Sequence, residues 1–147
     1  MRILIDADAC PVIDICIEQG KLFNIEVILF TTINHNLSKY NLKTVLSDTY
    51  KESTDLTLIN YAKSNDIIIT QDYGVASLGL GKKCFPINQN GLVFTIDNID
   101  FLLNSRHISK KERKKGNYTQ IPKRTKENNL DFEKALIKVI KNTIEIY

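Results

Sequence analysis

Apolar residues in this chain fall into short unbroken runs, separated by stretches in which they recur at helical spacing. Ile3, Leu4 and Ile5 form the first run and residues 25–30 (Ile-Glu-Val-Ile-Leu-Phe) the second. Ile67, Ile68 and Ile69, between Asp66 and Thr70, form the clearest. Runs of this length suit strands buried on both faces of a parallel sheet. Between the first two, Val12, Ile13, Cys16, Ile17, Leu22 and Phe23 lie close to a helical repeat. Pro11 suits the start of that helix, because its φ is preset and its missing N–H would have no partner there. Strand, helix and strand in this order predict a parallel β-α-β unit with a right-handed crossover.

The alternation continues. Residues 31–41 are polar and read as a loop, and Lys43–Leu46 as a short third strand. A helix is expected from Asp55, N-capped by Ser53 or Thr54, with Leu56, Leu58, Ile59, Tyr61 and Ala62 carrying it to about Asn65. After the isoleucine strand come Gln71–Gly74 and a helix of small residues over 75–81. Residues 84–87 read as a short strand that Pro86 confines to an edge or a strand end. Asn90-Gly91 signals a hairpin turn, with Leu92–Thr95 as the returning strand. A capped helix follows over 97–103, and Leu130–Ile146 reads as an amphipathic closing helix. The expected class is α/β, with a mainly parallel sheet of four or five strands flanked by helices.

A length of 147 residues suits one domain. It divides into an α/β core over 1–104, a basic segment over 105–126 and the closing helix over 127–147. No apolar run approaches the ~20 residues of a membrane span, and the N-terminus does not read as a signal peptide. A cytoplasmic protein without a membrane partner is expected, and nothing indicates a homo-oligomer. The cysteines are Cys10, Cys16 and Cys84, an odd number without C-x-x-C spacing, so neither a disulfide framework nor a zinc site is expected. Cys16 and Cys84 read as small buried apolar residues. Cys10 sits at a helix start, but His35 and His107 are the only histidines, and cysteine catalysis is not expected.

Charge adds more than composition does. The net charge is +3, yet residues 106–126 hold nine Lys or Arg against the single acid Glu112. That segment carries +8 and leaves −5 on the rest of the chain. A mildly acidic body with a basic appendage favours a nucleic-acid partner over a merely solvated charge run.

The candidate chemistry lies where strands end. Asp6 and Asp8 follow the first strand, at the edge where open α/β sheets bind ligands. On an extended chain, residues two apart point the same way, so these two carboxylates can address one centre. Asp72 repeats this placement after the isoleucine strand, and Asp55 starts the preceding helix, at the same edge. Each taken alone has a plain structural role, as a helix cap, a turn residue or a favourable charge at a helix N-terminus. Four acids converging on one edge repel one another unless a cation compensates, and all-oxygen donors suit Mg²⁺ or Mn²⁺.

Residues Ile5–Pro11 (Ile-Asp-Ala-Asp-Ala-Cys-Pro) resemble the opening motif of the YaiI/YqxD family, part of the PIN-like nuclease superfamily. Residues Ile69–Gly74 (Ile-Thr-Gln-Asp-Tyr-Gly) resemble its second signature. Residues 103–107, with Lys111, Arg113, residues 122–125 and Phe132, resemble its C-terminal pattern. The resemblance spans essentially the whole chain. It implies a PIN-like, three-layer α/β/α fold whose acidic cluster binds Mg²⁺ or Mn²⁺ and hydrolyses phosphodiester bonds, most often in RNA. Asp6 and Asp72 match best, then Asp8, then Asp55. Glu52 stands where the superfamily often has an aspartate. Asp6 and Asp72 would be the main ligands, Asp8 a direct or water-mediated one, and Asp55 a further ligand or a base that orients water.

In that reading Arg106, His107, Lys110, Arg113, Lys123 and Arg124 would contact phosphates, and Tyr118 would stack on a base, with RNA favoured over DNA. Two rivals stand beside it. A haloacid-dehalogenase-type phosphatase would use Asp6 as nucleophile and Asp8 as general acid, with Thr70 as its second motif. Against this, Cys10 stands where that fold expects Thr or Val, and no paired-aspartate motif follows late in the chain. The other rival is a non-catalytic RNA-binding module on the same fold.

Overall fold

Each apolar run becomes a strand with both faces covered. The computed structural model describes residues 1–32, 37–47, 51–114, 116 and 123–146, with the side chains of 51–53, 106–114 and 146 outside that description. The elements are β1 (Arg2–Asp6), α1 (Ile13–Phe23), β2 (Glu26–Thr32), a 3-10 turn (Ser38–Tyr40), β3 (Lys43–Ser47) and α2 (Lys51–Tyr61). There follow β4 (Ile67–Ile69), α3 (Tyr73–Gly81), β5 (Phe85–Ile87), α4 (Ile96–Lys114) and α5 (Lys126–Ile146). The five strands form one parallel sheet in the order β3-β2-β1-β4-β5. In the central strand, Ile5 pairs with Leu29 on one side and Ile69 on the other.

Alternation along the strands divides the core in two. Ile3, Ile5, Leu29, Ile67, Ile69 and Ile87 pack under α1 and α5, which contribute Ile13, Cys16, Phe132 and Leu136. Leu4, Ile28, Phe30 and Ile68 pack under α2 and α3, which contribute Leu58, Ile59 and Val75. Helix α4 lies outside α3, where Ile99, Leu102 and Leu103 meet Ala76 and Phe94. The result is the expected three-layer α/β arrangement, its sheet wholly parallel. No helix among the described residues is long and apolar enough to cross a membrane.

Several boundaries differ from the sequence-based expectation, each for a physical reason. Helix α2 starts at Lys51, so Ser53 and Thr54 lie inside it and do not cap it. Thr54 instead shares a 2.6 Å hydrogen bond with Ser47 at the end of β3. In α1, Leu22 is 70% exposed while Gly20 is buried against β2. A Cβ on Gly20 would sit 2.6 Å from Val27 Cγ2, so the missing side chain lets the helix settle on the sheet. Helix α4 runs to Lys114 instead of ending near Leu103, roughly 16 Å further. Helix α5 begins four residues before Leu130.

The expected return strand over 92–95 does not form. The turn is present: Asn88 Oδ1 accepts from the backbone N–H of Asn90 and Leu92, both at 2.9 Å. Beyond it only an isolated antiparallel bridge joins Ile87 to Val93, and β5 takes its strand partner from β4 in parallel. Gly91 adopts φ +90°, and a Cβ there would lie 2.6 Å from the backbone oxygen of Asp131 in α5. Gly91→Ala is therefore expected to destabilise by about 2 kcal/mol, from left-handed strain together with a backbone collision. A chemical-denaturation midpoint unchanged from the parent would rule out this close approach.

Candidate metal centre

The β3-β2-β1-β4-β5 order reverses between β1 and β4, the switch point where ligands of open α/β sheets bind beyond the carboxyl ends. Asp6 is the last residue of β1, half-buried. It continues the alternation of Leu4 and so belongs to the α2/α3 face of the sheet. Asp72 lies three residues beyond Ile69 on neighbouring β4 and is the N-cap of α3. Its Oδ1 accepts from Gly74 N at 2.7 Å and Val75 N at 3.1 Å. Its own N–H donates to Thr70 Oγ1 at 3.0 Å. This is a strong cap, and it also fixes the carboxylate in one orientation at the sheet edge.

Asp55 lies one turn inside α2, next to the Thr54 that bonds to the end of β3, and its Oδ1 is buried. Asp6, Asp55 and Asp72 thus lie toward the carboxyl edge of the sheet on three different elements, Asp55 on the β3 side and Asp72 on the β4 side. Asp8 lies past the end of β1, so the two-residue spacing of an extended chain does not govern it. The extended chain ends at Asp6, Cys10 N donates to Ala7 O at 3.3 Å, and Ala9 turns through φ 57°. Asp8 sits in that turn, where Thr31 Oγ1 donates to its Oδ1 at 2.6 Å. Thr31 was missed from the sequence, although a buried threonine closing an apolar strand is a detectable signal. Among the described residues, no three of His, Cys, Asp or Glu are grouped to hold a metal ion. The edge gathers carboxylates without a preformed cage of three.

Cys10 lies in the same turn, and its thiol is pushed up to about 11. Burial is the main cause; Asp6 acts in the same direction, while the Val12 backbone and Arg124 oppose it. At neutral pH it is a protonated thiol. Thr70, which a phosphatase would need, is 2% exposed and engaged with Asp72.

Of the predicted nucleic-acid contacts, Arg106, His107, Lys110 and Arg113 lie on α4, and their side chains fall outside the described residues. Tyr118 and the Glu52 side chain fall outside them as well. Lys123 is exposed. Arg124 is not a loose surface cation: its guanidinium bonds Asn129, Asn90 and the Gln89 carbonyl. A cleft of about 370 Å³ opens at the opposite, amino edge of the sheet, between the end of α1 and the starts of β2 and β3. Its rim carries Lys21, Glu26 and Lys43, and it is remote from the carboxylates.

A family model described as "Uncharacterized BCR, YaiI/YqxD family" matches residues 4–142. A UPF0178 protein of Ruminiclostridium cellulolyticum is 46% identical over 96% of this chain and 93% of its own length. A UPF0178 protein of Alkaliphilus oremlandii is 44% identical over 98% of this chain and 94% of its own length. A UPF0178 protein of Natranaerobius thermophilus is 37% identical over 95% of this chain and 96% of its own length. No solved structure matches the chain significantly.

Proposed function

The chain belongs to the YaiI/YqxD family, and from that premise we propose that it is a cytoplasmic, divalent-metal-dependent nuclease, with RNA favoured over DNA, whose acidic centre lies beyond β1 and β4. One observation supports this reading: β1 and β4 are neighbours at the reversal of strand order, so Asp6 and Asp72 follow adjacent strands at one edge of the sheet. Mg²⁺ and Mn²⁺ suit such a set, because they keep several waters and need only one or two carboxylates from the protein. Asp6 with Asp72 or Asp55 would hold the ion, and Asp8 would act through an intervening water.

A bound ion would lower the pKa of a coordinated water and offset charge on the phosphodiester. The rest falls to the chain's own groups. The α3 N–H groups that fix Asp72 keep its carboxylate from turning away from the edge. Asp55 would orient the attacking water and take up its proton. The cations of α4 and of the segment before α5 would hold the flanking phosphates, which makes binding salt-dependent.

Calorimetric titration of Mn²⁺ into the parent protein, Asp6→Asn and Asp72→Asn tests this reading, with melting temperature followed in parallel. Asparagine also caps helices well, so Asp72→Asn should keep α3 intact while removing a charged ligand. At an ion concentration 100 times Kd, the parent should gain about 2.7 kcal/mol, roughly 5–10 °C in Tm. Both variants should lose most of that gain and lose Mn²⁺-dependent cleavage of single-stranded RNA. Equal responses of all three proteins would sink the metal-dependent reading and favour a non-catalytic RNA-binding module.

A further inference from the structure

We propose that Arg124 is a fixed anion seat that holds one phosphate group at the carboxyl edge of the sheet. Its guanidinium donates from Nε to Asn129 Oδ1 at 2.9 Å, from Nη1 to Asn90 Oδ1 at 2.8 Å and from Nη2 to the Gln89 carbonyl at 2.8 Å. All three acceptors are neutral. The bonds commit three of the five N–H donors, to acceptors that carry no charge of their own. Arg124 makes no ion pair among the described residues. Arg2 is the contrast, since its guanidinium is neutralised by Asp66 at 2.6 Å. A half-buried guanidinium held by neutral groups has lost part of its hydration to acceptors that bring no counter-charge. An oxyanion would supply that charge.

The partners of Arg124 are themselves held. Asn88 closes the turn that carries Gln89 and Asn90. Thr125 and Asn128 bond reciprocally at the start of α5, at 2.9 and 3.4 Å, beside Asn129. Gly91 keeps the turn in contact with α5 at a distance that no side chain would permit. The fork is therefore oriented before any ligand arrives, which lowers the entropy lost on binding. Its location is also defined, because Gln89 and Asn90, which hold the guanidinium, follow the carboxyl end of β5. A planar fork with two uncommitted N–H groups suits phosphate, whereas lysine would offer only a point charge. Identifying the occupant as a phosphodiester rests on the nuclease reading; the seat itself does not.

The test uses the full chain without metal and follows the arginine side-chain N–H resonances by NMR. One arm adds inorganic phosphate and the other a short single-stranded RNA. Phosphate should shift the Arg124 resonance, and Arg124→Lys should weaken phosphate binding about tenfold while keeping the charge. Lys134→Ala, which removes an exposed lysine of α5, should leave phosphate affinity near that of the parent. A shift by phosphate and RNA alike marks a nucleic-acid phosphate as the occupant, and a shift by phosphate alone marks a free phosphate. An unmoved Arg124 resonance in both arms overturns the seat, with no variant required to fold. Equal weakening by Arg124→Lys and Lys134→Ala also overturns it, in favour of diffuse charge. Failure of Mn²⁺ binding in the preceding experiment would leave these results unaffected, so the two proposals fail separately.

Discussion

Replacing Asp66 with alanine is expected to lower the unfolding free energy by about 3–5 kcal/mol. Asp66 is 2% exposed and lies at the amino edge of the sheet, away from the acidic centre. Its carboxylate accepts from Arg2 N at 3.1 Å, Arg2 Nε at 3.2 Å, Arg2 Nη2 at 2.6 Å and Lys63 N at 2.8 Å. These bonds tie the first residue of β1 to the loop that leads into β4. The Arg2 guanidinium also lies 4.7 Å from the centre of the Tyr61 ring and donates to the Tyr61 carbonyl. Truncating Asp66 would strand that cation and two backbone donors together, and this accounts for the size of the effect. For a chain of this length the cost corresponds to a Tm about 10 °C lower. Replacing Arg2 and Asp66 together with leucine should recover part of the loss, because two apolar groups leave no orphaned charge. A single-variant loss under about 1 kcal/mol would show that the pair is solvated.

Phe132→Ala is expected to cost about 3–5 kcal/mol in urea denaturation, with an unchanged m-value. Phe132 is fully buried, in the cluster that joins α5 to α1 and to the odd-numbered residues of β1 and β4. Its backbone N lies 3.1 Å from the position a Cβ on Gly91 would take, so the residue marks where α5 presses on the turn after β5. A cavity there would loosen the start of α5 and the turn that Arg124 grips. Phosphate binding should weaken in the same variant. A loss near 1 kcal/mol would mean that the surrounding side chains collapse into the space.

The strands were legible because their signal is local. A parallel strand covered on both faces must be apolar at consecutive positions, and Ile3–Ile5 and Ile67–Ile69 show this within three residues. The ends of those strands were legible for the same reason, and with them the placement of Asp6 and Asp72 at one edge. The extent of α4 was not. Its apolar repeat stops at Leu103, and beyond that the helix runs through lysine, arginine and glutamate, which favour helix without advertising a buried face. The return strand after Asn90-Gly91 failed in the opposite way: the turn chemistry was right, but β5 found its partner in β4, and α5 closes on the turn.

By itself the sequence determined the α/β class, the strands and the acids that end them, because each depends on residues adjacent in the chain. Tertiary structure alone decided which strands became neighbours, and hence that Asp6 and Asp72 follow adjacent strands. It turned Asp8 onto Thr31, paired Arg2 with Asp66, and made Arg124 a clamp within a segment that reads as uniform positive charge. Those contacts join residues 23 to 64 positions apart, and no periodicity records a hydrogen bond across such a distance.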